Sequence, residues 1–206
     1  MRAGSVLLGA AALASLALLP AASACAAVID IAVAGADGKP LPNAVVYLES
    51  PAATAATAAL RSTPLHEIAQ EGKQFVPQVS VVAVGTAVRF PNRDTVRHHV
   101  YSFSPAKTFE LKLYIGIPAH PVAFDQPGLV LLGCNIHDAM VAWVLVVPTP
   151  YHAVTGADGH ARIELPAGNY NLRSWHNGLP AQTAPPSQAV QVPAAGLRAS
   201  TRLPVT

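Results

Sequence analysis

Cys134-Asn135-Ile136-His137-Asp138-Ala139-Met140 sets a thiolate, an imidazole and a thioether at offsets of zero, three and six within one short turn. A chain that carries those donors so close together is constrained to fold with the turn converging on a point. Cu(I) favours soft sulfur and Cu(II) favours imidazole, so one Cys, two His and a weak axial Met serve both oxidation states. The turn lacks only a second imidazole, which the fold must bring from elsewhere. His98 and His99, on a strand-like run upstream, are the candidates. A lone Cys, Met or His is ordinarily core filler or a satisfied polar residue. Here Met140 is the one methionine besides the initiator, and Cys134 the one cysteine beyond the amino-terminal segment. The spacing therefore carries the reading.

Residues 1–24 read as an export signal, with cleavage as late as residue 27. Met1-Arg2 provides a positive start, Val6 to Leu19 an apolar stretch short of a membrane span, and Ala22-Ser23-Ala24 a small-residue cleavage site. The expectation is a periplasmic or otherwise exported protein. Cys25 follows that site at once, so a lipidated Cys25 attached to a membrane is one reading; cleavage after Ala27 would instead remove it. In both cases one unpaired thiol remains in an oxidising compartment, where a metal accounts for it.

Only 12% of the residues are charged and the formal net charge is +2, so no nucleic-acid partner is expected, because that needs a strong basic patch. Nineteen prolines, fourteen glycines and many short Val-rich runs predict an all-β chain with frequent turns and no long amphipathic helix. Gly-x-Ser-x-Gly, His-Glu-x-x-His and His-x-His are absent, so no enzyme is expected. Cys134 and His137 as nucleophile and base would lack an orienting third group.

Alternation and turn punctuation predict strands at 28–34 and 44–48, then an Ala-, Thr- and Pro-rich linker over 51–63. Eight short strands follow, at 65–70, 79–84, 87–91, 98–103, 109–114, 121–124, 128–134 and 141–147, enough for a compact sandwich with the Cys-His-Met turn joining the last two. Further strands are expected at 151–155, 160–165, 169–175, 189–192 and 197–203.

Residues 64–148 resemble the plastocyanin/azurin family of cupredoxins, nearest its amicyanin and methylamine-utilisation-type copper proteins. The resemblance lies in Asn92-Arg93-Asp94 followed by His98-His99-Val100, and in Gly133-Cys134-Asn135-Ile136-His137-Asp138-Ala139-Met140. It implies a Greek-key β-sandwich that binds one copper ion per chain through His98, Cys134, His137 and Met140. It also implies single-electron transfer between redox partner proteins, by a monomer, with His137 beside Pro105 and Ile136 as the docking centre. The family commonly has Asn where this chain has His99, helping to tie the ligand loops together. Strand alternation puts His98 with Val100 and Ser102, and His99 with Tyr101 and Phe103, and does not choose between them; the resemblance selects His98. A periplasmic copper carrier or storage protein, or a β-sandwich module with no redox role, are the alternatives.

The flanks, 28–50 and 149–206, resemble a carboxypeptidase-regulatory-like, transthyretin-like sandwich, through Asp37-Gly38-Lys39-Pro40-Leu41-Pro42-Asn43-Ala44 and Asp158-Gly159 with Leu165-Pro166-Ala167-Gly168-Asn169-Tyr170. The copper domain would then be an insertion within it; otherwise 28–48 adds edge strands to the cupredoxin. His66, His120, His152, His160 and His176 are expected at the surface. Between Arg89 and Lys112, five basic residues against Asp94 and Glu110 leave a local +3, expected to steer an acidic partner.

Overall fold

The computed structural model describes residues 26–60, 65–180 and 183–206; the expected signal segment and Cys25 lie outside them. The described residues form an all-β protein with one short helix, arranged as two abutting lobes.

The central lobe is a sandwich of two sheets. The larger has five strands, in the order β6 (Val79–Ala83), β12 (Val141–Val147), β11 (Gly128–Gly133), β8 (His98–Ser104) and β9 (Lys107–Tyr114). The smaller is β10 (Val122–Phe124), β7 (Thr86–Arg89) and β3 (His66–Glu67), with a hairpin of β4 (Ala69–Glu71) and β5 (Gln74–Val76) beside it. Between the sheets lies a core that includes Phe75, Phe90, Phe124, Val130, Leu132 and Val144, and at one end of it Cys134 and Met140.

In the flanking lobe, β1 (Ala26–Ala34) pairs with β14 (His160–Pro166) and β17 (Leu197–Arg202). A second sheet runs β13 (His152–Val154), β2 (Val45–Glu49), β15 (Gly168–Trp175) and β16 (Ser187–Val192). Strands before residue 50 thus hydrogen-bond to strands after residue 150, with the central lobe carried between them.

Apolar alternation explains how the lobes join. On β12, Ala142, Val144 and Val146 face the central core, while Leu145 and Val147 join the flanking core. On β6, Val82 faces inward, whereas Val79 and Val81 pack with Ile29, Val46 and Leu48 of the other lobe. Both faces of these two strands are covered, which is why their sequences read as continuous apolar runs rather than as alternating ones.

The segment expected as a linker instead begins with α1 (Pro51–Ala59). Ser50 caps it by accepting a hydrogen bond from the Ala53 N–H at 3.1 Å, and Pro51 occupies the first turn, where its missing N–H costs nothing. Thr57 Oγ1 hydrogen-bonds to the Pro148 carbonyl, tethering the helix to the end of β12. An Ala- and Thr-rich stretch has no apolar stripe to advertise it, so only the cap and this tether mark the helix. Residues 61–64 lie outside the described residues.

Two of the histidines expected at the surface meet where the lobes touch. His66 Nε2 lies 3.1 Å from Ser80 Oγ, and His152 is half-buried nearby. Burial, and secondarily the charge His66 would carry, lower the His152 pKa to about 4. An unfolded histidine titrates near 6.5, so the unfolded chain takes up this proton first. The ring's contribution to stability is therefore complete above about pH 6.5 and is lost as pH falls towards 4. Urea unfolding at pH 7 and at pH 4.5 should differ by about 2 kcal/mol more in the wild type than in His152→Gln, at about 1.4 kcal/mol per pKa unit less a discount for residual exposure. Equal differences in the two proteins would remove His152 as the cause. His176 is half-buried as well, whereas His120 and His160 are exposed as expected.

Candidate metal centre

Three segments meet at one end of the central sandwich. β11 delivers Cys134 immediately past its last residue, the following turn carries His137 and Met140, and β8 opens with His98. The turn is closed by a hydrogen bond from the Met140 N–H to the His137 carbonyl at 2.9 Å. That bond folds the six-residue spacing back, so that the Met140 side chain is fully buried in the same core as Cys134.

One nitrogen from each of His98 and His137 and the sulfur of Cys134 lie within 4.8 Å of one another. The two histidine rings meet edge to face, with centroids 5.0 Å apart. Cys134 is a free thiol, 3% exposed. His99 is not in this cluster. It is buried on the other face of β8, where its Nε2 meets Glu110 Oε1 at 2.8 Å and its ring packs on Tyr101. It therefore does not take the loop-tying place of the family's Asn but binds to the neighbouring strand. The pairing of β8 with β9 is irregular between His98 and Val100, and such a bulge re-aims side chains locally.

The unpaired atoms are the informative ones. His98 is fully buried, and its Nε2 is held at 2.7 Å by Asp94 Oδ2, leaving Nδ1 with no hydrogen-bond partner. His137 Nδ1 is likewise buried and unpartnered, although the ring as a whole is partly exposed. Buried polar nitrogens are almost always satisfied; His99 Nδ1 is unpartnered too, but only His98 and His137 converge on a free thiol, and that convergence asks for an electrophile between them. A divalent or monovalent copper ion suits this donor set: two imidazoles, one thiolate and a nearby thioether.

Asp94 is the residue that sequence reasoning left without a role. It stands in the acid position of the Asn-Arg-acid pattern, four residues before His98, and that spacing was the available signal. Burial works against its ionised form, but hydrogen bonds from the Lys73 N–H, from His98 and from the Gly72 N–H outweigh it and keep its pKa below the ordinary value. A carboxylate on the far nitrogen fixes the imidazole's tautomer and presents Nδ1 as a lone pair.

Asn92 holds the loops around the site in place. Its side-chain amide donates to the Val96 and Tyr114 carbonyls at 2.9 and 2.7 Å, and its backbone bridges to Gly116. Tyr114 donates to the Phe90 carbonyl at 2.6 Å and contacts Gln70. Its hydroxyl pKa is pushed up to about 12, chiefly by burial. Gly133 lies against Tyr101: a Cβ there would come within 2.8 Å of the ring, so a larger residue before Cys134 would have to displace the Tyr101 side chain.

Around the partly exposed His137 edge, the loops that meet here expose Val96, Ile115, Ile117 and Ile136, each between 41% and 63%. The basic stretch expected to steer an acidic partner is partly neutralised. Arg93 pairs with Glu67 and Glu71, and Lys107 pairs with Asp125 at 3.2 Å. Those acids come from outside the stretch whose charge was counted, so the local +3 does not survive folding.

No protein-family model matches the chain, and no curated protein matches it. Solved structures do resemble it. A Cu-containing nitrite reductase from Thermus scotoductus is 23% identical over 42% of this chain, with a TM-score of 0.39; this chain spans 23% of that one. A purple cupredoxin from Nitrosopumilus maritimus is 21% identical over 40% of this chain and 99% of its own, with a TM-score of 0.35. A mutant of amicyanin in its reduced Cu(I) form is 20% identical over 51% of this chain and 99% of its own, with a TM-score of 0.38. The similar proteins are cupredoxins and a copper enzyme. At these identities and scores, the case for a metal rests on the donor geometry.

Proposed function

We propose that this chain is an exported copper protein that carries single electrons between redox partners. The observation behind the proposal is the convergence of one nitrogen each from His98 and His137 on the free thiol of Cys134, all within 4.8 Å of one another. His98, Cys134 and His137 would hold one copper ion, with Met140 as a weaker fourth donor. Bound there, copper supplies a one-electron couple between Cu(II) and Cu(I).

The chain's own part is rigidity and insulation. Asp94 holds His98 from behind, and the Met140–His137 hydrogen bond holds the turn. The core around Cys134 excludes water, so the same donors stay in position when the charge changes. The partly exposed His137 ring within an apolar collar offers an edge through which a partner protein could exchange an electron. The flanking lobe would be a carboxypeptidase-regulatory-like sandwich that holds the copper domain as an insertion, and export would follow from the amino-terminal signal.

The test is addition of Cu(II) to the metal-free protein. An intense blue thiolate-to-copper band saturating at one ion per chain is expected, with electron self-exchange fast enough to broaden NMR signals in a half-reduced sample. A colourless complex would overturn the copper assignment. A blue complex without measurable self-exchange would favour a copper carrier or store.

A further inference from the structure

The chain has two tryptophans, and both line one cavity of about 780 Å³ on the far side of the five-stranded sheet from the metal site. Trp143 reaches it from β12, and Trp175 from the end of β15 in the flanking lobe. The wall between them is apolar, with Leu129, Leu145 and Leu179 among its residues, and Pro148 and Pro180 stiffen its edges. A volume of several hundred Å³ with predominantly apolar walls is typical of small-molecule sites.

Polar groups interrupt that wall, among them Asn177, Thr183, Tyr47 and Trp175. Tyr47 and Trp175 are each only 6% exposed. Neither the Tyr47 hydroxyl nor the Trp175 indole N–H has a hydrogen-bond partner among the described residues. Buried Tyr and Trp ordinarily find one. Neither atom is sealed from open space, and the open space that both residues border is this cavity. The Tyr47 pKa is pushed up to about 12, mainly by burial and then by Glu49, so its hydroxyl remains a donor. Glu49, the one charged residue on the wall, is compensated by Arg173 at 2.6 Å. The cavity therefore offers hydrogen-bond donors that include Tyr47 and Trp175, flat apolar surfaces and, among the described residues, no uncompensated charge.

We propose that this cavity binds a neutral aromatic carbonyl compound, whose ring lies against the tryptophans and whose oxygen accepts from Tyr47 or Trp175. An uncompensated charge on the ligand would find no partner there, and a pure hydrocarbon would leave both donors unsatisfied.

The test uses the full chain and a matched pair of probes, 2-acetylnaphthalene and 2-ethylnaphthalene, which are alike in shape and differ in the acceptor oxygen. Tryptophan fluorescence should change saturably with the ketone, with the hydrocarbon binding about five-fold more weakly, the effect of one neutral hydrogen bond. The indole N–H signals of Trp143 and Trp175 should shift in the NMR spectrum. Tyr47→Phe combined with Trp175→Phe should erase the preference for the ketone, with folding checked by circular dichroism. If that pair fails to fold, Leu131→Arg, at a position 47% exposed on the cavity rim, should weaken both probes at least ten-fold. Absence of saturable change, equal binding of both probes to the wild type, or a preference that survives in the double variant would overturn the proposal. So would sedimentation showing that a second copy of the chain covers the tryptophans.

Discussion

Cys134→Ser should abolish the blue band entirely and weaken copper binding by more than about a hundredfold, since loss of an outer-shell partner alone costs about 10- to 100-fold. The thiolate is the one soft anionic donor in the cluster and the source of the charge-transfer colour. The substitution also carries a cost without metal. Cys134 is 3% exposed in an apolar core, where a serine hydroxyl would replace a sulfur that behaves as a small hydrophobe. A hydroxyl without a partner there should destabilise the metal-free protein by about 1–3 kcal/mol. Absorption spectra during copper titration and denaturant melts of the metal-free variant read the two effects separately. A variant that stayed blue would show that the colour, and with it the ligand, lies elsewhere.

His98→Ala should damage the site far more than His99→Ala, although the two residues are adjacent and both buried. Removing His98 takes away a nitrogen of the cluster and leaves Asp94 facing a void, and affinity should fall by about a hundredfold or more. His99 turns the other way, towards Glu110 and Tyr101, so its loss should leave the spectrum unchanged and the affinity within about ten-fold. Met140→Leu gives a third outcome, in which the colour is kept and the reduction potential raised, because Met140 would be the weakest of the four donors and would tune the couple without being needed to hold the ion. Titration and voltammetry of the three variants check this. Equal damage from both histidine substitutions would mean that the choice between them is wrong.

Several features are legible in the chain alone. The all-β class followed from turn residues and short Val-rich runs, and most strands begin and end within a residue or two of their expected places. The spacing of Cys134, His137 and Met140 is local, so a single closed turn is enough to bring them together, and the chain encodes that directly. Histidine choice is another matter. His98 and His99 differ by one position on a strand, and alternation separates their faces without saying which face holds the thiol. Only the packing of β8 against β11 decides that, because the facing residue comes from a strand thirty or so positions away.

Pairing between distant segments stayed equally hidden. Asp94 is held in place by the Gly72 and Lys73 N–H groups of a hairpin some twenty residues upstream, and Arg93 and Lys107 lose their free charge to acids elsewhere in the chain. Residue counts along a stretch of chain cannot register partners that lie elsewhere in it. The helix at 51–59 has no amphipathic period, since it rests on a cap and one tether rather than on an apolar stripe. The cavity with its two tryptophans exists only where two sheets of different lobes meet. Local spacing, then, was sufficient for the donors and the strands. Convergence of residues far apart in the chain, which depends on how sheets pack, belonged to the tertiary structure alone.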